Sequence, residues 1–135
     1  MYQPKRTKYR KFQKGKIGGK VSNIDSLSFG KFAMKSLEAG RLSSQVIEAV
    51  RRTMTRKLRR SGQIWIRVFP DIAVSEKPAE VRMGKGKGNP EFWVSRIKIG
   101  QILFELDGIS LELAKQAVFL GAQKIPFSTK FVQLD

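Results

Sequence analysis

Positive charge is the feature that most narrows what this chain can fold into. Its 135 residues carry 27 Lys and Arg against 11 Asp and Glu and contain no His, a formal net charge of +16. Such a charge repels itself in any compact state. It is also unevenly placed. Residues 1–60 hold 17 basic and three acidic side chains, whereas residues 61–135 hold ten and eight. A surface charged evenly for solubility would not divide this way; a binding arm followed by a basic helix would. The partner that relieves the repulsion is a polyanion, above all nucleic acid. With 41% apolar residues, the rest of the chain can still bury a small core, and the length suits one domain.

Several chemistries drop out. Without Cys there is no disulfide, thiol nucleophile or thiolate metal site. Without His there is no imidazole acid–base catalysis and no ordinary zinc site. No metal and no cofactor are expected. No apolar run approaches the roughly 18 residues of a membrane span, so no membrane insertion is expected. The opening Met-Tyr-Gln-Pro-Lys-Arg-Thr-Lys lacks an apolar signal core and reads as a contact arm.

That arm occupies residues 1–26. Lys5, Arg6, Lys8, Arg10, Lys11, Lys14, Lys16 and Lys20 occur without an acid among the first 20 positions, and the aromatics Tyr2, Tyr9 and Phe12 are interspersed in the same stretch. Cations track a phosphate backbone, and interleaved aromatics stack on bases or dock the arm. A solvated tail is the alternative; an arm that orders only on its partner satisfies both.

Residues 27–135 read as a single α+β domain. Residues 27–37 suggest a strand pair or an irregular strand, with Gly30 marking a bulge. Residues 38–41 turn. Ser43 or Ser44 offers an N-cap oxygen, and Val46, Val50, Met54 and Leu58, joined by Ile47, trace one apolar stripe of a helix. Gly62 is placed to terminate it in the left-handed conformation. The helix carries Arg51, Arg52, Arg56, Lys57, Arg59 and Arg60 against one acid, Glu48. The helix dipole favours cations at the C-terminal end, but six within ten residues repel one another more than the dipole compensates. A nucleic-acid face is therefore expected here. The stripe is narrow and lacks Trp and Phe, which disfavours an anionic membrane surface.

Residues 63–69 alternate as a strand, with Ile64, Ile66 and Val68 on one face and Trp65, Arg67 and Phe69 on the other. Residues 92–99 and 101–106 form two more strands, expected to pair as a hairpin, and Asp107-Gly108 turns the chain out. Trp65 and Trp93 are expected to pack rather than serve as stacking platforms. Ser110 caps a second helix from Leu111 to about Lys124. Its small face of Ala114, Ala117, Val118 and Gly121 would approach the sheet, and Pro126 stops it. Residues 127–134 make a last strand. Several antiparallel strands plus two helices imply a two-layer α+β sandwich.

Residues 70–91 are the long connection. Loops of that length without clear structure usually carry function. Arg82, Met83, Gly84, Lys85, Gly86, Lys87 and Gly88 cannot bury an apolar face. Gly lets the backbone approach a surface closely, Lys supplies phosphate contacts, and Arg82 can fork onto phosphate or base edges. The P-loop and dinucleotide-loop spacings are both absent, which argues against a nucleotide enzyme. A loop inserted into folded RNA is expected, a solvated tip being the alternative.

Four blocks now carry a resemblance. They are Gln3-Pro-Lys-Arg-Thr-Lys-Tyr-Arg-Lys11; Ile47-Glu48-Ala49 with Arg51-Arg52 and Met54-Thr55-Arg56; Ile64-Trp-Ile-Arg-Val-Phe-Pro-Asp71; and Val81-Arg-Met-Gly-Lys-Gly-Lys-Gly-Asn89, followed by Trp93. In this order, over residues 3 to 134, the chain resembles the bacterial and organellar large-subunit ribosomal protein L-sixteen family. The resemblance implies a two-layer α+β fold and binding to large-subunit rRNA between the central protuberance and the peptidyl-transferase region. It also implies a position facing the aminoacyl-site tRNA, neighbouring large-subunit ribosomal proteins as partners, and late entry into the subunit. The arm, Lys5 to Lys20, would follow rRNA, together with Arg51, Arg52, Arg56, Arg59 and Arg60. The loop from Arg82 to Asn89 would reach toward the tRNA acceptor arm, leaving catalysis to RNA. Residues 17–28 are less basic and less Gly-rich than the family pattern. The Gly84–Gly88 tip resembles bacterial and mitochondrial members rather than plastid ones. The ending Ser128-Thr-Lys-Phe-Val-Gln133 resembles plant and algal mitochondrial ones, so a mitochondrial ribosome is expected over a bacterial one, with a plastid less so.

The reading is thus a structural rRNA-binding protein and not an enzyme. A free RNA chaperone would show the same charge without the four blocks. A phosphoryl-transfer enzyme would have to use the Gly-Lys loop with carboxylates such as Glu76, Glu80 and Glu91.

Overall fold

In the computed structural model, Pro4 and residues 29–59, 61–75 and 90–133 are described. Seven strands and two helices follow one another along these residues. They are β1 (Phe32–Ser36), β2 (Gly40–Ser43), α1 (Ser44–Leu58), β3 (Gln63–Ile66), β4 (Ile72–Ser75), β5 (Pro90–Ile97), β6 (Ile102–Asp107), α2 (Leu111–Ala122) and β7 (Thr129–Gln133). All strand pairings are antiparallel. They build a four-stranded sheet in the order β3-β6-β1-β7 and a three-stranded sheet in the order β2-β5-β4. The expected α+β sandwich of antiparallel strands and two helices is what the chain forms.

Both helices start as the sequence indicates. Ser43 Oγ accepts from the Val46 N–H at 3.2 Å, and Ser110 Oγ accepts from the Leu113 N–H at 3.3 Å. Each bond satisfies one of the orphan donors of a first helical turn. Ile47, Val50, Met54 and Leu58 of α1 are buried, as are Ala114, Ala117, Val118 and Gly121 of α2. These stripes join Phe32, Met34, Phe104 and Leu106 of the four-stranded sheet in one core.

Five local expectations are corrected. The left-handed residue that ends α1 is Arg59, at φ 52°, and its N–H reaches back to Arg56 and Thr55; Gly62, at φ 71°, lies in the turn beyond. The bulge in β1 falls between Met34 and Lys35 rather than at Gly30. Gly30 is instead a point of close approach, where a Cβ would stand 2.4 Å from the Leu106 carbonyl oxygen. The small face of α2 closes on α1 as well as on the sheet, since a Cβ at Gly121 would meet Met54 at 3.0 Å and Val50 at 3.1 Å.

The fourth correction concerns β5 and β6, which do not form a hairpin. β5 pairs with β2 and β4, whereas β6 pairs with β1 and β3. The reason is the backbone of Ser36. Its N–H donates to the Gln101 carbonyl at 2.9 Å and its carbonyl accepts from the Gly100 N–H at 2.8 Å. The connection after β5 is held against the end of β1 and delivered into the other sheet. Finally, the 70–91 connection begins folded. Pro70 is fully buried, and Ile72–Ser75 adds an edge strand whose Ala73 sits opposite Trp93.

Candidate nucleic-acid interface

Helix α1 turns its apolar stripe inward and so leaves its cations outside. Arg52, Arg56 and Arg59 are exposed. The four-residue spacing of Arg52 and Arg56 puts them along one side of the helix, and Arg59 follows at its C-cap. Among the described residues, Arg56 and Arg59 have no ion-pair partner. Arg51 differs. It is half-buried and turned onto Glu48, with Nε 3.0 Å from Oε2 and Nη2 2.5 Å from Oε1. Arg52 shares the same carboxylate through Nε at 3.0 Å while its side chain stays 70% exposed. One acid thus holds two guanidiniums in place on the first half of the basic side. An exposed pair of this kind adds little stability; its effect is positional.

Of the other sequence-predicted residues, Lys5, Arg6, Lys8, Arg10, Lys11, Lys14, Lys16 and Arg60 lie outside the described residues. So do Arg82, Met83, Gly84, Lys85, Gly86, Lys87 and Gly88, and the acids Glu76 and Glu80.

The structure also assembles a group that sequence reasoning missed. Glu105 lies in the middle of β6 with its side chain fully buried. Its Oε1 accepts from the N–H of Phe29 at 2.9 Å and of Gly30 at 3.1 Å, and Oε2 accepts from Arg67 Nη1. Burial pushes the carboxyl up. The Phe29 N–H, the Arg67 guanidinium and the Gly30 N–H outweigh that and hold it below its ordinary value. The clue in the sequence was an acid inside the apolar run Ile-Leu-Phe-Glu-Leu, which has to find a cation or several donors if buried.

Register shows which face this group occupies. Trp65, Glu105, Ala33 and Val132 stand opposite one another across the four strands. Ile64, Ile66, Phe104 and Met34 face the helices from the other side. The chain entering β1 therefore crosses the outer face, clamped there by Glu105. Phe29 stacks on Trp65 with ring centroids 5.9 Å apart and planes at 20°. The Arg67 guanidinium carbon lies 5.1 Å from the Phe29 ring centre. Trp65 packs against Phe29, and both Trp65 and Trp93 are half-buried.

Among the described residues, no group of three or more acids lies close enough together to hold a metal ion, and no helix is long and apolar enough to cross a membrane. Comparison with known proteins supplies what the geometry alone does not. Residues 4–132 match the family described as ribosomal protein L16p/L10e. The chain is 61% identical over 132 residues to the large ribosomal subunit protein uL16m of Prototheca wickerhamii, covering 98% of each chain. It is 57% identical over 132 residues to the large ribosomal subunit protein uL16 of Gluconacetobacter diazotrophicus, covering 98% of this chain and 96% of that one. The protein of the same name from Gluconobacter oxydans is 56% identical over 133 residues, with the same coverage. A match along nearly the whole length leads to one conclusion: the chain belongs to the ribosomal protein L16p/L10e family, a structural, non-enzymatic constituent of the ribosome.

Proposed function

We propose that the protein binds large-subunit rRNA and supports the positioning of aminoacyl-site tRNA near the peptidyl-transferase centre. The observation that carries the reading is the side of α1 holding Arg52, Arg56 and Arg59, exposed above a fully buried apolar stripe. Cations aligned in this way neutralise successive phosphates and release condensed counterions. Folded RNA is recognised by shape more than by a base code, which suits a helix offering charge without an inserted reading surface. The arm from Lys5 to Lys20 would extend the same contact, and Arg82 to Gly88 would face the tRNA. Neighbouring large-subunit proteins would complete the surroundings. The ending Ser128–Gln133 supports a mitochondrial ribosome.

Sedimentation of a native extract tests this reading. The protein is expected with the large subunit, and a variant with Arg52, Arg56 and Arg59 all changed to Gln is expected to shift to the ribosome-free pool while keeping its helical circular dichroism. Finding the unaltered protein free of ribosomes, or the triple variant fully incorporated, would overturn it.

A further inference from the structure

We propose that the outer face of the four-stranded sheet, at Phe29, Trp65 and Arg67, is a stacking platform for an unpaired RNA base. The proposal rests on the RNA-binding reading and adds to it a second contact of different chemistry, on the side of the sheet away from α1.

Three observations carry it. First, the platform presents an open ring: Phe29 is 55% exposed and stacks on the half-buried Trp65. A chain with a small core would gain by burying such a ring. Second, the backbone that carries the Phe29 ring is held in place. The Phe29 and Gly30 N–H groups donate to the buried Glu105 carboxylate, and Gly30 lies so close to Leu106 that no side chain fits there. Phe29 therefore has little freedom to fold away. Third, the platform has a cation. Glu105 engages one end of the Arg67 guanidinium while its carbon stays over the Phe29 ring. Each ring face accepts any base, and an adjacent Arg adds a charged plane and further donors. The occupant chosen is RNA rather than protein because the chain bears a net charge of +16 and a guanidinium sits within the patch itself. A purely apolar partner would leave that group desolvated.

The test uses the full-length chain carrying Trp93→Phe, so that Trp65 is its single tryptophan. The probes are a 12-nucleotide oligoadenylate and a ribose-phosphate oligomer of equal length without bases, at matched low salt. The oligoadenylate is expected to quench Trp65 and to bind about fivefold or more tightly than the abasic oligomer. Phe29→Leu should abolish that preference while leaving abasic binding and circular dichroism unchanged, and Phe29→Tyr should restore it. Equal binding of the two oligomers, or a preference that survives Phe29→Leu, would overturn the platform while leaving phosphate binding intact. Failure of both oligomers to bind would overturn the platform and the RNA-binding reading together. In assembled large subunits, p-benzoylphenylalanine in place of Phe29 should crosslink to rRNA; crosslinking to a neighbouring protein instead would overturn the platform alone.

Discussion

Glu105 shows how one side chain can serve both stability and function. Its carboxylate is buried, and among the described residues two N–H groups at the entry to β1 and one guanidinium converge on it. Removing the carboxylate leaves the buried Gly30 N–H without its partner, while the exposed Arg67 side chain can turn to water. Glu105→Ala should therefore lower the unfolding free energy by about 2 kcal/mol, measured by urea denaturation. The pH dependence has a definite sign. Because folding holds this carboxyl below its ordinary value, its contribution is fully present above the ordinary carboxylate range. It is lost as pH falls through the lowered folded value. Glu105→Gln should flatten that acid limb of the stability curve; an unchanged limb would show that other carboxyls dominate it.

At the scale of the element, α1 joins two demands at Arg59. A non-glycine residue at φ 52° costs roughly 1 kcal/mol, yet Arg59 adds an exposed cation at the end of the helix that carries Arg52 and Arg56. Arg59→Gly should leave stability unchanged or raise it by up to about 1 kcal/mol. It should also weaken rRNA binding and reduce the salt slope by about one. Chemical denaturation and filter binding check the two halves, and a loss of stability would contradict the first. This helix was legible in the sequence down to its serine cap, because periodicity and capping are local. What was not legible was long-range. β5 and β6 are adjacent in sequence and read as a hairpin, but Ser36, more than 60 positions earlier, sends the chain into another sheet. β4 was hidden in the long connection because four residues, Ile-Ala-Val-Ser, give too short a pattern to separate from loop. Phe29 and Arg67 could not be grouped with Glu105 until the register brought them together. The basic side of α1 could be read ahead, but the share of it occupied by Glu48 could not.

For the molecule as a whole, charge controls association more than folding. Affinity for rRNA should fall steeply with salt, and deleting residues 1–20, with their eight cations, should reduce the log–log slope by about six. Fluorescence titration from low to moderate salt measures it, and a slope unchanged by the deletion would show that the arm does not contact RNA. The domain itself should keep its urea midpoint, because the clamp on Phe29 and Gly30 lies beyond the deletion. That clamp has one more effect. It fixes the exit of the leading segment on one side of the sheet, while the guanidinium row of α1 lies on the opposite side. An RNA that holds both cannot be shed by tilting the domain away from a single surface. Departure from such an RNA would require two grips to fail at once or the leader to be withdrawn lengthwise, and slow exchange is the expected outcome.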